Sequence, residues 1–146
     1  MATIISGKVK KHLGRGKQLG FPTANLDAET HAEEGVYVGL VTHIENGLPP
    51  LFVRKLWPRK AIMPEQKYLP ALIFIGSAKT FDEQERKVEV YILDFTYDIY
   101  GKELGVELIK KIRENEKFDS ADELIEQMKQ DELFARQFFS SYNPSN

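Results

Sequence analysis

Residues 87–95 read KVEVYILDF, and within this run Val88, Val90 and Ile92 alternate with Glu89, Tyr91 and Leu93. A period of two assigns these two sets to opposite faces of a β-strand. Both sets are mostly apolar, so the strand is expected to be covered on both sides, and Glu89 is the exception on its face. A carboxylate in that setting is either a strand residue turned to solvent or a group kept for chemistry.

The neighbouring segments extend the same pattern. GVYVGLVTHI (35–44) is rich in β-branched and aromatic residues and ends at the turn-prone Glu45-Asn46-Gly47, and ALIFIG (71–76) reads as another strand. In KELGVELIKKIR (102–113), Leu104, Leu108 and Ile112 fit a helix, while the same residues with Val106 also fit period two. Gly105 and the strands around it favour a strand. A helix is predicted from Ser120, where S-x-x-E with Glu123 forms a capping box ahead of Leu124, Met128, Ala135 and Phe138. Strands followed by one terminal helix predict a mainly β protein, a small closed or nearly closed barrel with a helix on its flank.

The chain has 146 residues, of which 42% are apolar, enough for one domain with one core over residues 1–146. Twenty basic against 22 acidic residues give no bulk charge to attract nucleic acid or an anionic membrane. There is no cysteine, hence no disulfide or thiolate metal site, and MATIISGKVK has no apolar run suited to a signal peptide. A soluble, cytoplasmic protein is expected. Five of the seven prolines fall between Gly47 and Pro70, which marks a Pro-rich insertion at about 47–70 that resists regular structure. Residues 113–134 carry eight acids against Arg113, Lys117 and Lys129, the pattern of a solvated helix face.

One basic cluster stands out, KVKKHLGRGK at 8–17, where Gly7, Gly14, Gly16 and Gly20 punctuate what reads as a loop leading into LGFPTANL at 19–26. Glycines let backbone amides approach phosphate oxygens, and Lys17 adds a point charge to the same anion. Thr23 and Asn25, spaced by one residue behind Pro22, are either oxygen ligands or ordinary turn residues that satisfy nearby amides.

Taken in order, GKVKKHLGRGKQLGFPTANL, GVY at 35–37, IGSAKTF at 75–81, VEVYILDF at 88–95, DIYGKEL at 98–104 and IRENEKFDSADELIEQMKQDELFAR at 112–136 resemble the riboflavin kinase family over residues 5–136. The resemblance implies a six-stranded antiparallel β-barrel that uses ATP to convert riboflavin to FMN, releasing ADP. It implies Thr23 and Asn25 as ligands of Mg²⁺ or another divalent cation, and Gly14, Gly16 and Lys17 at the phosphates. Glu89 matches the catalytic base. Ile99 and Tyr100 are expected near the adenine, and Arg113, Glu116 and Phe118 in a segment closing over the flavin. The chain is expected to act as a monomer, without nucleic-acid or membrane partners, and to stop at FMN, since no adenylyltransferase domain precedes the barrel.

The sequence departs from the family pattern at His12, where glycine is usual, and at Phe74 and Lys79, where N-I-G-x-x-P-T-F has Asn and Pro. The Pro-rich insertion is longer than the family connection and is either a lid carrying Trp57 or a surface excursion that packs Trp57 and Phe52. Two other readings stay open: a flavin- or nucleotide-binding module of this fold without efficient turnover, and a barrel binding single-stranded nucleic acid. The second lacks aromatics in its basic run on which bases could stack.

Overall fold

The computed structural model describes residues 3–10, 20–46, 69–80, 83–95 and 99–142, with side chains described for all of these except 78–80 and 83–85. Six strands, β1 (Thr3–Lys10), β2 (Ala24–Asp27), β3 (Gly35–Ile44), β4 (Leu69–Thr80), β5 (Glu83–Ile92) and β6 (Glu103–Arg113), precede one helix, α1 (Ala121–Ser141). The strands close into a barrel in the order β1-β2-β5-β4-β3-β6, every pair antiparallel. Closure gives every strand a partner on both sides, most briefly at β2, which pairs through three residues with β1 and three with β5.

Alternation fills the interior. Leu69, Ala71, Ile73 and Ile75 of β4 meet Val88, Val90 and Ile92 of β5 and Leu104 and Val106 of β6 inside the barrel. The intervening residues point outward, and those on one side are buried too: Val36, Val38 and Leu40 of β3 and Leu72 of β4 pack under Ala135 and Phe139 of α1. The unbroken burial of β3 from Gly35 to Val41 follows from this double cover.

The mixed periodicity of residues 102–113 has a cause in the sheet. Along β3–β6, Tyr37 pairs with Lys111 and Val36 with Arg113, while Val38 pairs with Lys110 and Gly39 with Leu108. Ile112 and Ile109 are therefore the extra residues of two β-bulges, and both pack toward the helix. A bulge turns the period of two into a local period of three, which sequence alone reads as helix.

Helix α1 starts where Ser120 predicts, with Ser120 Oγ accepting the Glu123 N–H at 3.2 Å. The return contact differs from a capping box, because the Glu123 carboxylate accepts from the Asp119 N–H at 3.1 Å. The buried stripe is Met128, Asp131, Ala135 and Phe139, so Phe139 replaces the expected Phe138. Phe138 is half-buried and stacks on Tyr142 at 5.4 Å. Arg136 holds the helix to the turn after β5 by two bonds to Asp94, 2.8 and 3.0 Å long.

The basic segment is partly strand. Gly7, Lys8 and Lys10 lie on β1, which pairs with both β2 and β6. A Cβ on Gly7 would run into the Asp27 carbonyl of the adjacent strand, so this glycine serves strand packing. Gly20 adopts φ +89° just ahead of Phe21 and Pro22. His12, the Pro-rich stretch 47–68 with Phe52 and Trp57, and the Lys79 side chain lie outside the described residues. Leu69 and Pro70, at the end of that insertion, belong to β4.

Candidate active site

The antiparallel order sets the end of β1, the start of β2 and the turn between β5 and β6 at one end of the barrel. There Lys10 pairs with Asn25, and the 99–102 turn is fastened to β1: the Gly101 N–H donates to the Val9 carbonyl and the Val9 N–H to the Lys102 carbonyl, both at 2.9 Å. Pro22-Thr23-Ala24-Asn25 is not a turn but the entry into β2, with Ala24 and Asn25 already in the ladder.

Asn25 is the direct cross-strand partner of Glu89, and Glu89 is also opposite Phe74 on β4. Since Leu26, Val88 and Val90 point inward, Asn25, Glu89 and Phe74 share the outer face. The Glu89 side chain is 26% exposed, a half-buried carboxylate 3.7 Å from Lys87 Nζ.

This outer wall forms one side of a cleft of about 600 Å³, a volume suited to a small organic ligand. Thr23, Lys87 and Glu89 contribute polar groups; Val36 and Phe74 give an apolar floor, and Leu124 and Met128 of α1 form the far wall. The connection from β6 to α1 completes it with Asn115, Glu116 and Phe118. Asn115 anchors that connection to the barrel, its Nδ2 donating to the Ile75 carbonyl at 2.9 Å.

Arg113 also borders the cleft, but its guanidinium is committed to α1. Nε and Nη2 donate to the two Asp131 oxygens at 2.8 and 2.7 Å, and Nη1 donates to the Glu114 carbonyl at 3.0 Å. On the other flank Tyr91 donates its hydroxyl to Glu132 Oε1 at 2.6 Å, while the Phe21 ring meets its edge at 5.7 Å. Burial, and then the bond to Glu132, raise the Tyr91 hydroxyl well above its ordinary pKa, so it is a neutral donor throughout the physiological range. Phe21, and with it the entry to Thr23, is thereby packed against a residue tied to the helix.

Of the residues singled out from sequence, Thr23, Glu89, Arg113, Glu116 and Phe118 line the cleft and Asn25 is paired to Glu89. Ile99 and Tyr100 do not line it. Ile99 is buried in the barrel core and Tyr100 is 60% exposed, both in the turn at the Thr23 end. Gly14, Gly16 and Lys17 lie outside the described residues. Lys87, Asn115 and Asp131 were missed. Asp131 left a signal, because the helical spacing from Met128 to Ala135 places it on the buried stripe.

Thr23 and Asn25 offer a hydroxyl and a carboxamide oxygen, and no group of three His, Cys, Asp or Glu able to hold a metal occurs among the described residues. An all-oxygen, ligand-poor set fits a hard cation such as Mg²⁺, which keeps waters and takes further ligands from phosphates. It does not fit a thiophilic or imidazole-bound metal.

The closed barrel, its flanking helix and the cleft between them define a β-barrel domain built to bind a small ligand. The family described as Flavokinase, riboflavin kinase, matches residues 2–139, and the chain belongs to that family. The bifunctional riboflavin kinase/FMN adenylyltransferase of Escherichia coli K12 is 34% identical over 143 residues, covering 97% of this chain and 39% of that protein. A crystal structure described as a macrolide-efflux protein from Streptococcus pneumoniae has 32% identity and a TM-score of 0.69, covering 92% of this chain and 38% of that one. The riboflavin kinase of Trypanosoma brucei, at 24% identity, shares the fold with a TM-score of 0.58, over 95% of this chain and 85% of its own. The chain spans less than half the length of the curated relatives it matches. No helix among the described residues is long and apolar enough to cross a membrane.

Proposed function

We propose that the protein is a riboflavin kinase, which transfers the γ-phosphoryl group of ATP to the 5′-hydroxyl of riboflavin and gives FMN and ADP. The observation that carries this reading is the pairing of Asn25 with Glu89 across β2 and β5, which joins an oxygen-ligand motif to a half-buried carboxylate beside an apolar cleft. The reading takes residues 1–146 as one domain acting as a monomer, without nucleic-acid or membrane partners.

The apolar floor and the helix wall suit a flat aromatic ring system, with Glu116 and Asn115 at its polar rim. The ribityl chain then extends toward Thr23. Glu89 accepts the hydrogen bond of the 5′-hydroxyl and orients its oxygen toward the γ-phosphorus. As the new O–P bond forms, the bond from the γ-phosphorus to the β–γ bridging oxygen breaks, ADP leaves, and the hydroxyl proton passes to Glu89. In so loose a transition state positioning outweighs basicity. Thr23 and Asn25 would hold the divalent cation, which when bound neutralises phosphate charge. Gly14, Gly16 and Lys17 are assigned to the phosphates and Ile99 and Tyr100 to the adenine, on the family resemblance.

The test is incubation of the protein with riboflavin, ATP and Mg²⁺, followed by chromatography. FMN should appear, and a chelator should stop its formation. No FMN with any divalent cation would overturn the proposal.

A further inference from the structure

Asp131, 2% exposed, is the only polar or charged residue buried among the described residues. It sits on the helix stripe between Met128 and Ala135, where an apolar residue would dock α1 on the barrel. Its carboxylate is held by two elements: Arg113 of β6 takes both oxygens, and Gln127 Nε2, one turn back on the helix, adds a third bond to Oδ1 at 3.1 Å. A buried ion pair often stabilises a fold no better than a well-packed apolar pair of the same size, so helix docking alone does not account for it.

Arg113 is the last residue of β6, the point from which the chain leaves the barrel for the cleft. Its Nη1 donates to the carbonyl of Glu114, the first residue of that departing segment. The guanidinium is thus fixed on one side by Asp131 and on the other by the peptide whose direction decides where Glu116 and Phe118 stand. Asn115 Nδ2 on the Ile75 carbonyl is the second anchor of the segment, and the Asp119 N–H on Glu123 the third.

We propose that Asp131 is a positioning residue for riboflavin, which orients Arg113 and thereby sets the course of the 114–118 segment along the cleft. This rests on the riboflavin kinase reading. With Arg113 held, the segment has less freedom to lose when it closes over the flavin, and less ordering is needed on binding.

The Arg136–Asp94 pair provides an internal control, because it also joins α1 to the barrel by two bonds, while neither residue lines the cleft. Riboflavin affinity is read from flavin fluorescence in the presence of Mg-ADP for the parent, Asp131→Asn and Asp94→Asn, with thermal unfolding measured alongside. Asp131→Asn should bind riboflavin roughly ten- to a hundredfold more weakly, with KM rising by the same factor and kcat falling less. Asp94→Asn should melt lower yet bind like the parent. If Asp131→Asn does not fold, Gln127→Met removes one bond to Asp131 and should weaken binding in the same direction by a smaller factor. Parental affinity in a folded Asp131→Asn protein, or in Gln127→Met where that is the variant in use, would overturn the proposal, as would equal weakening in Asp94→Asn. A parent that binds no riboflavin would remove the kinase reading itself.

Discussion

Asn25 on β2 and Glu89 on β5 are register partners whose side chains share the outer face of the barrel. Directly opposed residues have Cβ atoms about 4.5–5.5 Å apart. The Pro22–Asn25 stretch and the Glu89 carboxylate therefore lie side by side on the barrel's outer face, although they are far apart in the chain.

Glu89→Gln keeps the size and hydrogen-bonding ability of the side chain but removes its capacity to take up a proton at neutral pH. A positioned general base contributes about 10²–10⁴ in rate, so kcat should fall by that factor while riboflavin affinity and melting temperature hold. The ion pair to Lys87 that is lost is partly exposed and contributes little to stability. Single-turnover kinetics on the folded variant at the parental rate would remove Glu89 from its role.

Thr23→Ala and Asn25→Ala should each weaken Mg-ATP binding and leave the barrel folded, because a hard-cation site loses affinity with each oxygen ligand removed. Calorimetric titration with Mg-ATP is the check. Parental affinity in both would reduce P-T-A-N to the entry of a strand.

Tyr91→Phe removes the hydroxyl bonded to Glu132 at 2.6 Å and should cost about 1.5–3 kcal/mol, since the acceptor is a charged group. The loss should depend on pH in one direction. Because the folded-state pKa of Tyr91 is raised, the native state favours the protonated phenol, and that stabilisation is complete below the ordinary value of 10.0. It is lost as pH rises above that value toward the folded-state pKa. The melting difference between parent and variant should stay constant from about pH 7 to 9 and shrink above 10. A difference that grows with alkalinity would contradict the assignment.

Phe139→Ala should destabilise the protein by about 3–5 kcal/mol, as deletion of a fully buried aromatic ring does. Phe138→Ala should cost less, because that ring is only half-buried. Paired denaturant titrations decide which phenylalanine plugs the helix to the barrel.

How much of this was legible in the chain depended on periodicity. Strands β3, β4 and β5 and the helix start were readable because alternation and a capping serine are local signals. Strand β1 was read as loop, since its glycine and lysines suggested a phosphate cradle while the reason for Gly7, the Asp27 carbonyl beside it, is a contact made only after folding. The bulges at Ile109 and Ile112 blurred β6 for the same reason. Within the site, Glu89 was visible as a charge in an apolar run. Asp131 hid among the acids of an apparently solvated helix; its spacing between Met128 and Ala135 was the one local hint, and its burial and pairing with Arg113 set it apart from Glu132 and Asp122.

The most direct measurement is a rapid-quench reaction with ATP labelled in its γ-phosphate, run with and without riboflavin and with the products separated by chromatography. The account predicts label in FMN at the rate riboflavin disappears, and no ATP consumption when riboflavin is omitted. Label released as inorganic phosphate whether or not riboflavin is present, with none in FMN, would contradict it.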